Sequence, residues 1–271
     1  MKRYRHYSKD RAIVLSCFGS IIEEELYLEL KKDVEKRFES CDVYLSFSSR
    51  MVLKLLKKEG KEFKNLPQTL ADVDMAGYKN IIVSSVNLFP TDEHEFTKKI
   101  VDGFKNFSLA KLRLTDAILT KTKETTLFLK ELDSAIKKDG VANLYIIHGT
   151  PRLDMRGIDS ITYTQNYLEM MGSNYACSLE GAYPYYAIKE LLVERMKKDG
   201  VKKVQIVPML LVSGNHYIKD MIEIRDELRE NFSCEIVDSL TAHEKFNLLE
   251  LKDVREIIYQ NIKTEITKLG C

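Results

Sequence analysis

Two blocks recur in the same order in each half of this 271-residue chain, and that duplication limits its fold more than any other feature. The stretch AIVLSCFGS at Ala12–Ser20 parallels NLYIIHGT at Asn143–Thr150: an apolar strand, then glycine, then a hydroxyl residue. Later in each half, GYKNIIVSSVNLFPTDEHEF from Gly77 parallels GVKKVQIVPMLLVSGNHYIKDM from Gly200, each running from Gly-x-Lys through a long apolar strand into a polar loop with a histidine. His94 lies 17 residues after Gly77 and His216 lies 16 after Gly200, so the two histidines occupy equivalent loops. Internal repetition of this kind predicts one structural unit used twice.

Short β-branched runs alternate with longer amphipathic stretches, the pattern of parallel strands joined by helices. The fold class is therefore α/β, with two similar lobes, each a mainly parallel sheet flanked by helices. Expected strands are Ala12–Cys17, Val43–Phe47, Asn80–Val86, Leu144–Ile147, Tyr175–Leu179, Val204–Leu211 and Cys234–Val237. A first helix is expected over Glu23–Phe38, acidic at its start and basic at its end, in keeping with the helix dipole. The segment Phe104–Gly140 reads as helical and places the junction there, giving lobes over 1–125 and 126–271. Ligands of open α/β sheets bind beyond the carboxyl ends of the strands, which predicts a cleft shared by the two lobes.

Charge narrows the classes of partner. Forty-two Lys and Arg against 41 Asp and Glu leave no overall field toward nucleic acid or an anionic membrane. No apolar run approaches the ~18 residues of a membrane span, and Met1–Arg11 lacks the apolar core of a signal peptide, so a cytoplasmic protein is expected. The five cysteines form no C-x-x-C pair and read as buried or incidental thiols.

Three polar residues follow expected strands. His148 stands between Leu144–Ile147 and Gly149, where glycine allows a ligand to approach the backbone; a hydrogen bond within its own turn is the other reading. His216 lies in the loop Ser213-Gly214-Asn215-His216, with Asp220 four residues on to orient its ring; a capping or surface histidine is the alternative. Glu180 ends Tyr175–Leu179 ahead of Gly181-Ala182-Tyr183-Pro184, where an ordinary solvated glutamate would also fit. Together, two histidines and a carboxylate at one sheet edge make a site for a first-row divalent metal. Walker, G-x-G-x-x-G, G-x-S-x-G and H-E-x-x-H motifs are missing, so the residues by themselves stop at a metal-binding α/β protein.

The blocks AIVLSCFGS, IIHGTPR, SLEGAYP and VPMLLVSGNHYIKDM, in that order and spacing, resemble the anaerobic sirohydrochlorin cobaltochelatases of the class II chelatase superfamily. The resemblance extends over nearly the whole chain, including SFSSRMVLKLLKKEG around Arg50. It implies two α/β lobes enclosing a tetrapyrrole cleft, with the family's metal-handling histidines and active-site glutamate on His148, His216 and Glu180. It implies Co2+ and sirohydrochlorin as substrates, with no ATP and no organic cofactor. Iron or nickel insertion on the same fold stays open, as does a non-catalytic haem or tetrapyrrole carrier, and a homo-oligomer is not excluded.

A macrocycle rich in carboxylates needs local donors, for which Ser20, Arg50, Thr150 and Arg152 are the candidates, with solvated surface charge as the other reading of the two arginines; Glu93 is a further substrate-binding candidate. Tyr183 and Met209 fit either a ring contact or the core. Two positions depart from the family pattern: Cys17-Phe18-Gly19-Ser20 stands where Ser-Phe-Gly-Thr is expected, and Asn87 where many relatives have histidine. The thiol of Cys17 could bind metal, and Glu93 and His94 could contribute from the equivalent first-half loop.

Overall fold

The computed structural model describes residues 5–214, 217–241 and 243–270, and among them two compact units, each built on a four-stranded parallel sheet. The first unit begins with β1 (Lys9–Cys17), α1 (Glu24–Arg37), β2 (Asp42–Phe47), α2 (Arg50–Lys58), α3 (Leu66–Met75), β3 (Tyr78–Val86), α4 (Asp92–Lys105) and β4 (Lys111–Leu114). Its strand order is β2-β1-β3-β4. Central β1 carries an unbroken apolar run, Ala12, Ile13, Val14 and Leu15, all fully buried, as expected of a strand covered on both faces.

The second unit spans Leu119–Leu251 and contains α5 (Thr122–Ile136), β5 (Val141–Gly149), α6 (Ile158–Glu169), β6 (Asn174–Glu180), α7 (Tyr185–Lys198), β7 (Lys203–Met209), α8 (Ile222–Leu228) and β8 (Ser233–Ile236). Its order, β6-β5-β7-β8, repeats that of the first sheet strand for strand. The duplication read from the two blocks is thus a duplication of topology.

Two expectations are corrected. Phe104–Gly140 is not one helical stretch: α4 ends at Lys105, Lys111–Leu114 pairs with β3 as an edge strand, and helix resumes over Thr122–Ile136. A four-residue Lys-Leu-Arg-Leu run with one buried face carries too little apolar signal to stand out from its helical surroundings. The last helix, α9 (Lys252–Lys268), belongs with the first unit and not with the C-terminal lobe. It packs on β3 and α1 through Val254, Ile258 and Ile262, all essentially buried. Arg255 pairs with Glu29 and Asp33, and Arg37 pairs with Glu256 at 3.1 Å.

In the second unit a chain of side-chain amides crosses the amino ends of the central strands. Asn143 donates to Asn174 at 3.2 Å, Gln205 donates to Asn143 at 3.1 Å, and Asn174 donates to Asp133 at 2.7 Å. All three amide residues are buried. Buried amides satisfy one another only in one strand register, and this register, with Asn143 opposite Asn174, also sets Gly149 opposite Glu180 at the carboxyl edge. No described helix is long and apolar enough to cross a membrane.

Candidate active site

The carboxyl edge of the second sheet brings His148 and Glu180 together on adjacent strands. Gly149 has φ +82°, and a Cβ there would lie 1.9 Å from the Glu180 carbonyl oxygen. Gly181 has φ +81°, and a Cβ there would lie 2.1 Å from the Thr150 carbonyl oxygen. Each strand end therefore presses its glycine against the other's backbone, an approach that only glycine permits. Beyond Gly181 the chain turns back: Ser178 donates its N–H to the Tyr183 carbonyl at 3.1 Å, and the Ala182 carbonyl accepts from both Gln165 and the Ser178 hydroxyl. Tyr183 sits in the middle of this turn at φ +53°, an uncommon conformation for a side-chain-bearing residue, with its ring half exposed.

His148 is half-buried, and its Nδ1 lies 3.3 Å from the Gly149 carbonyl oxygen. A carbonyl only accepts, so this contact places the proton on Nδ1 and the lone pair on Nε2. The turn hydrogen bond and the metal-facing role, set out above as alternatives, are compatible on one ring. Glu180 is exposed. Both residues line a cavity of about 340 Å3 together with Tyr185, Tyr186 and Lys189 of α7 and Asp220, Glu223 and Glu227 that follow β7. Lys189 pairs with Glu227 at 3.3 Å, whereas Glu223 has no hydrogen bond or ion pair among the described residues. Four carboxylates against one ammonium make the lining anionic, which favours a divalent cation.

Asp220 belongs to a π-helical turn, Tyr217–Met221, a local irregularity of winding that recurs at functional sites. The acidic wall was legible as Asp220, Glu223 and Glu227, three and four residues apart on one helical face, but nothing in the sequence tied that face to His148. His216 lies outside the described residues. Among the described residues no three His, Cys, Asp or Glu side chains are gathered as metal ligands. The loop leading to His216 is anchored at Ser213, whose N–H donates to Asn247 at 2.6 Å.

The substrate-binding candidates are placed unequally. Thr150 is 2% exposed, and its hydroxyl is buried without a hydrogen-bond partner among the described residues. Ser20 is 3% exposed, and its oxygen accepts from the N–H groups of Ile22 and Glu23, both at 3.1 Å. Both hydroxyls lie beneath the surface; that of Ser20 shapes the turn into α1. Arg152 is exposed and holds Asp154 at 2.8 Å, which keeps that carboxyl below its usual pKa. Arg50 is exposed on the first turn of α2, with no ion pair among the described residues. Glu93 accepts from the Ser48 hydroxyl at 2.7 Å, linking α4 to the loop after β2. Met209 is a core residue at 1% exposure. Cys17 is buried, and burial pushes its thiol pKa up.

The sequence profile of the cobalt chelatase (CbiK) family matches residues 11–267. The chain belongs to the cobalt chelatase (CbiK) family. Within the curated proteins this CbiK-family chain is 20% identical over 217 residues to the sirohydrochlorin cobaltochelatase of Salmonella typhimurium, covering 78% of this chain and 80% of that one. Its fold matches SirB from Bacillus subtilis with Fe3+ at a TM-score of 0.64 and 17% identity, over 94% of each chain. The sirohydrochlorin chelatase SirB from Bacillus subtilis subspecies spizizenii in complex with cobalt matches at the same TM-score with 13% identity, again over 94% of each chain. The CbiK-family chain is a class II chelatase, an enzyme built on two similar parallel-sheet lobes.

Proposed function

We propose that the protein inserts Co2+ into sirohydrochlorin, with His148, His216 and Glu180 as the residues that handle metal and protons. The observation that carries this reading is the pairing of Gly149 with Glu180, which sets His148 and Glu180 at one edge above an anionic cavity. The cobalt assignment is supported by the family profile and by the Salmonella relative.

Insertion exchanges two pyrrole N–H protons for one divalent ion, so the enzyme must hold a partly dehydrated metal and also accept protons. A neutral imidazole with its lone pair on Nε2 does either in turn, and the Gly149 carbonyl beside Nδ1 of His148 favours that tautomer. Glu180, solvent-exposed and on the adjacent strand, takes a proton and passes it to water. Glu223 and Asp220 raise the local cation concentration along the cavity wall. Arg50 and Arg152 are assigned to substrate carboxylates, Arg152 by exchanging Asp154 for the ligand.

Single Ala substitutions of His148, His216 and Glu180, assayed by the absorbance change of metallation, test the scheme. Each is expected to lower kcat/KM by about 100-fold or more. Full activity in both histidine variants would eliminate it. Running wild type with equal Co2+, Fe2+ and Ni2+ measures the metal preference directly; faster insertion of iron or nickel replaces the cobalt assignment while leaving the residue roles standing.

A further inference from the structure

Just beyond the carboxyl edge of the first sheet, His94, read from the sequence as a loop residue, lies in the first turn of α4 and belongs to a short hydrogen-bonded chain. Asn87 donates its amide Nδ2 to the Ser85 hydroxyl oxygen at 2.9 Å, and Ser85 Oγ lies 2.8 Å from His94 Nδ1. Ser85 is 2% exposed, and these are the hydroxyl's two partners among the described residues. In a chain that runs one way, from Asn87 to Ser85 and from the Ser85 hydroxyl to His94 Nδ1, the ring proton resides on Nε2. Burial lowers the His94 pKa against the opposing pull of Glu95 and Asp116, which keeps the ring neutral.

A ring in this state has no lone pair to offer a metal. Nδ1 is occupied by the serine proton, and Nε2 carries a hydrogen with no protein acceptor among the described residues. The charged groups that act on the ring are the acidic Glu95 and Asp116 and the basic Lys98. Neighbouring Glu93 is fastened to Ser48, and two residues beyond Ser48 stands Arg50, exposed and without an ion pair among the described residues.

We infer that His94 is a hydrogen-bond donor, through Nε2–H, to a carboxylate of the macrocyclic substrate, and that Asn87 fixes the tautomer that makes it one. The inference rests on the tetrapyrrole reading above and adds to it a positioning pair in the first unit. It also gives Asn87, a departure from the family pattern, a definite role. A histidine at 87 would be a further candidate ligand, whereas the amide directs the chain of protons and leaves the metal to the second unit.

The test uses the full-length protein, metal-free, in three measurements. Long-range 1H–15N correlation of histidine-labelled protein at pH 8 is expected to show His94 protonated on Nε2 and bare on Nδ1. In Asn87→Asp, the near-isosteric carboxylate accepts from Ser85, reverses the chain and protonates Nδ1. Titration of sirohydrochlorin followed by absorbance is expected to show binding about tenfold or more weaker in His94→Leu, the size of a lost hydrogen bond to a charged group. Co2+ affinity by calorimetry is expected to match wild type in both variants. An Nδ1–H tautomer in wild type, equal macrocycle binding by His94→Leu, or a loss of Co2+ affinity in its place would each overturn the inference. Wild-type protein that fails to bind the macrocycle at all would sink the broader reading as well, an outcome distinct from wild type binding and His94→Leu binding equally.

Discussion

Gly149 and Gly181 hold two strand ends in contact by having no side chain, and that contact is what keeps His148 and Glu180 side by side. A methyl group at 149 would meet the Glu180 carbonyl oxygen at 1.9 Å, a backbone atom that cannot rotate away, and would do so at φ +82°. Gly149→Ala is therefore expected to cost about 2 kcal/mol or more and to shift Glu180 enough to depress insertion. Urea unfolding checks the first part; a midpoint indistinguishable from wild type would show that the strand ends are not locked. At this scale the sequence already marked His148, Glu180 and the two glycines, since each follows an apolar run. The engagement of the Ser20 oxygen by backbone N–H groups, the burial of Thr150 and the burial of Met209 could not be read, because a hydroxyl or thioether looks the same in sequence whether a turn, the core or a ligand receives it.

Between residues and the whole lie the strands, whose pairing turns two distant motifs into neighbours. The amide chain through Asn174, Asn143 and Gln205 is buried and specific to one register, so it sets the relation of Gly149 to Glu180 from the opposite end of β5. Asn143→Leu removes the donor to Asn174 and the acceptor for Gln205 together. It is expected to destabilise the protein by about 1–3 kcal/mol, the cost of leaving buried polar groups unpaired. Thermal unfolding measures this, and a variant as stable as wild type would show that the network adds nothing. The central strands were legible from their continuous apolar runs. Edge strand β4 was not: it is short, pairs on one side and alternates Lys-Leu-Arg-Leu, which gives no more apolar signal than one turn of a helix.

Repetition of strand order β2-β1-β3-β4 as β6-β5-β7-β8 is the molecular form of the two sequence blocks, and it extends to the helix that follows each fourth strand. Helix α9 follows β8 as α5 follows β4, and each is grouped with the unit other than that of the strand before it. The position of α9 after the second repeat made it read as part of that lobe. Its contacts are set instead by chemistry the linear order does not display: an apolar stripe of Val254, Ile258 and Ile262, with Arg255 reaching Glu29 and Asp33 more than two hundred residues earlier. A chain ending at Leu251 would therefore strip the first unit of a covering helix while removing nothing from the second. Exposing three such side chains and their partners forfeits about 1.5–3 kcal/mol for each, a large share of the stability of a domain this size. Hydrogen exchange of the truncated chain is expected to show protection lost across β1, β2 and β3 and retained across β5, β6 and β7. Loss in the second set with retention in the first would mean that α9 stabilises the lobe it follows in sequence and not the one it packs against.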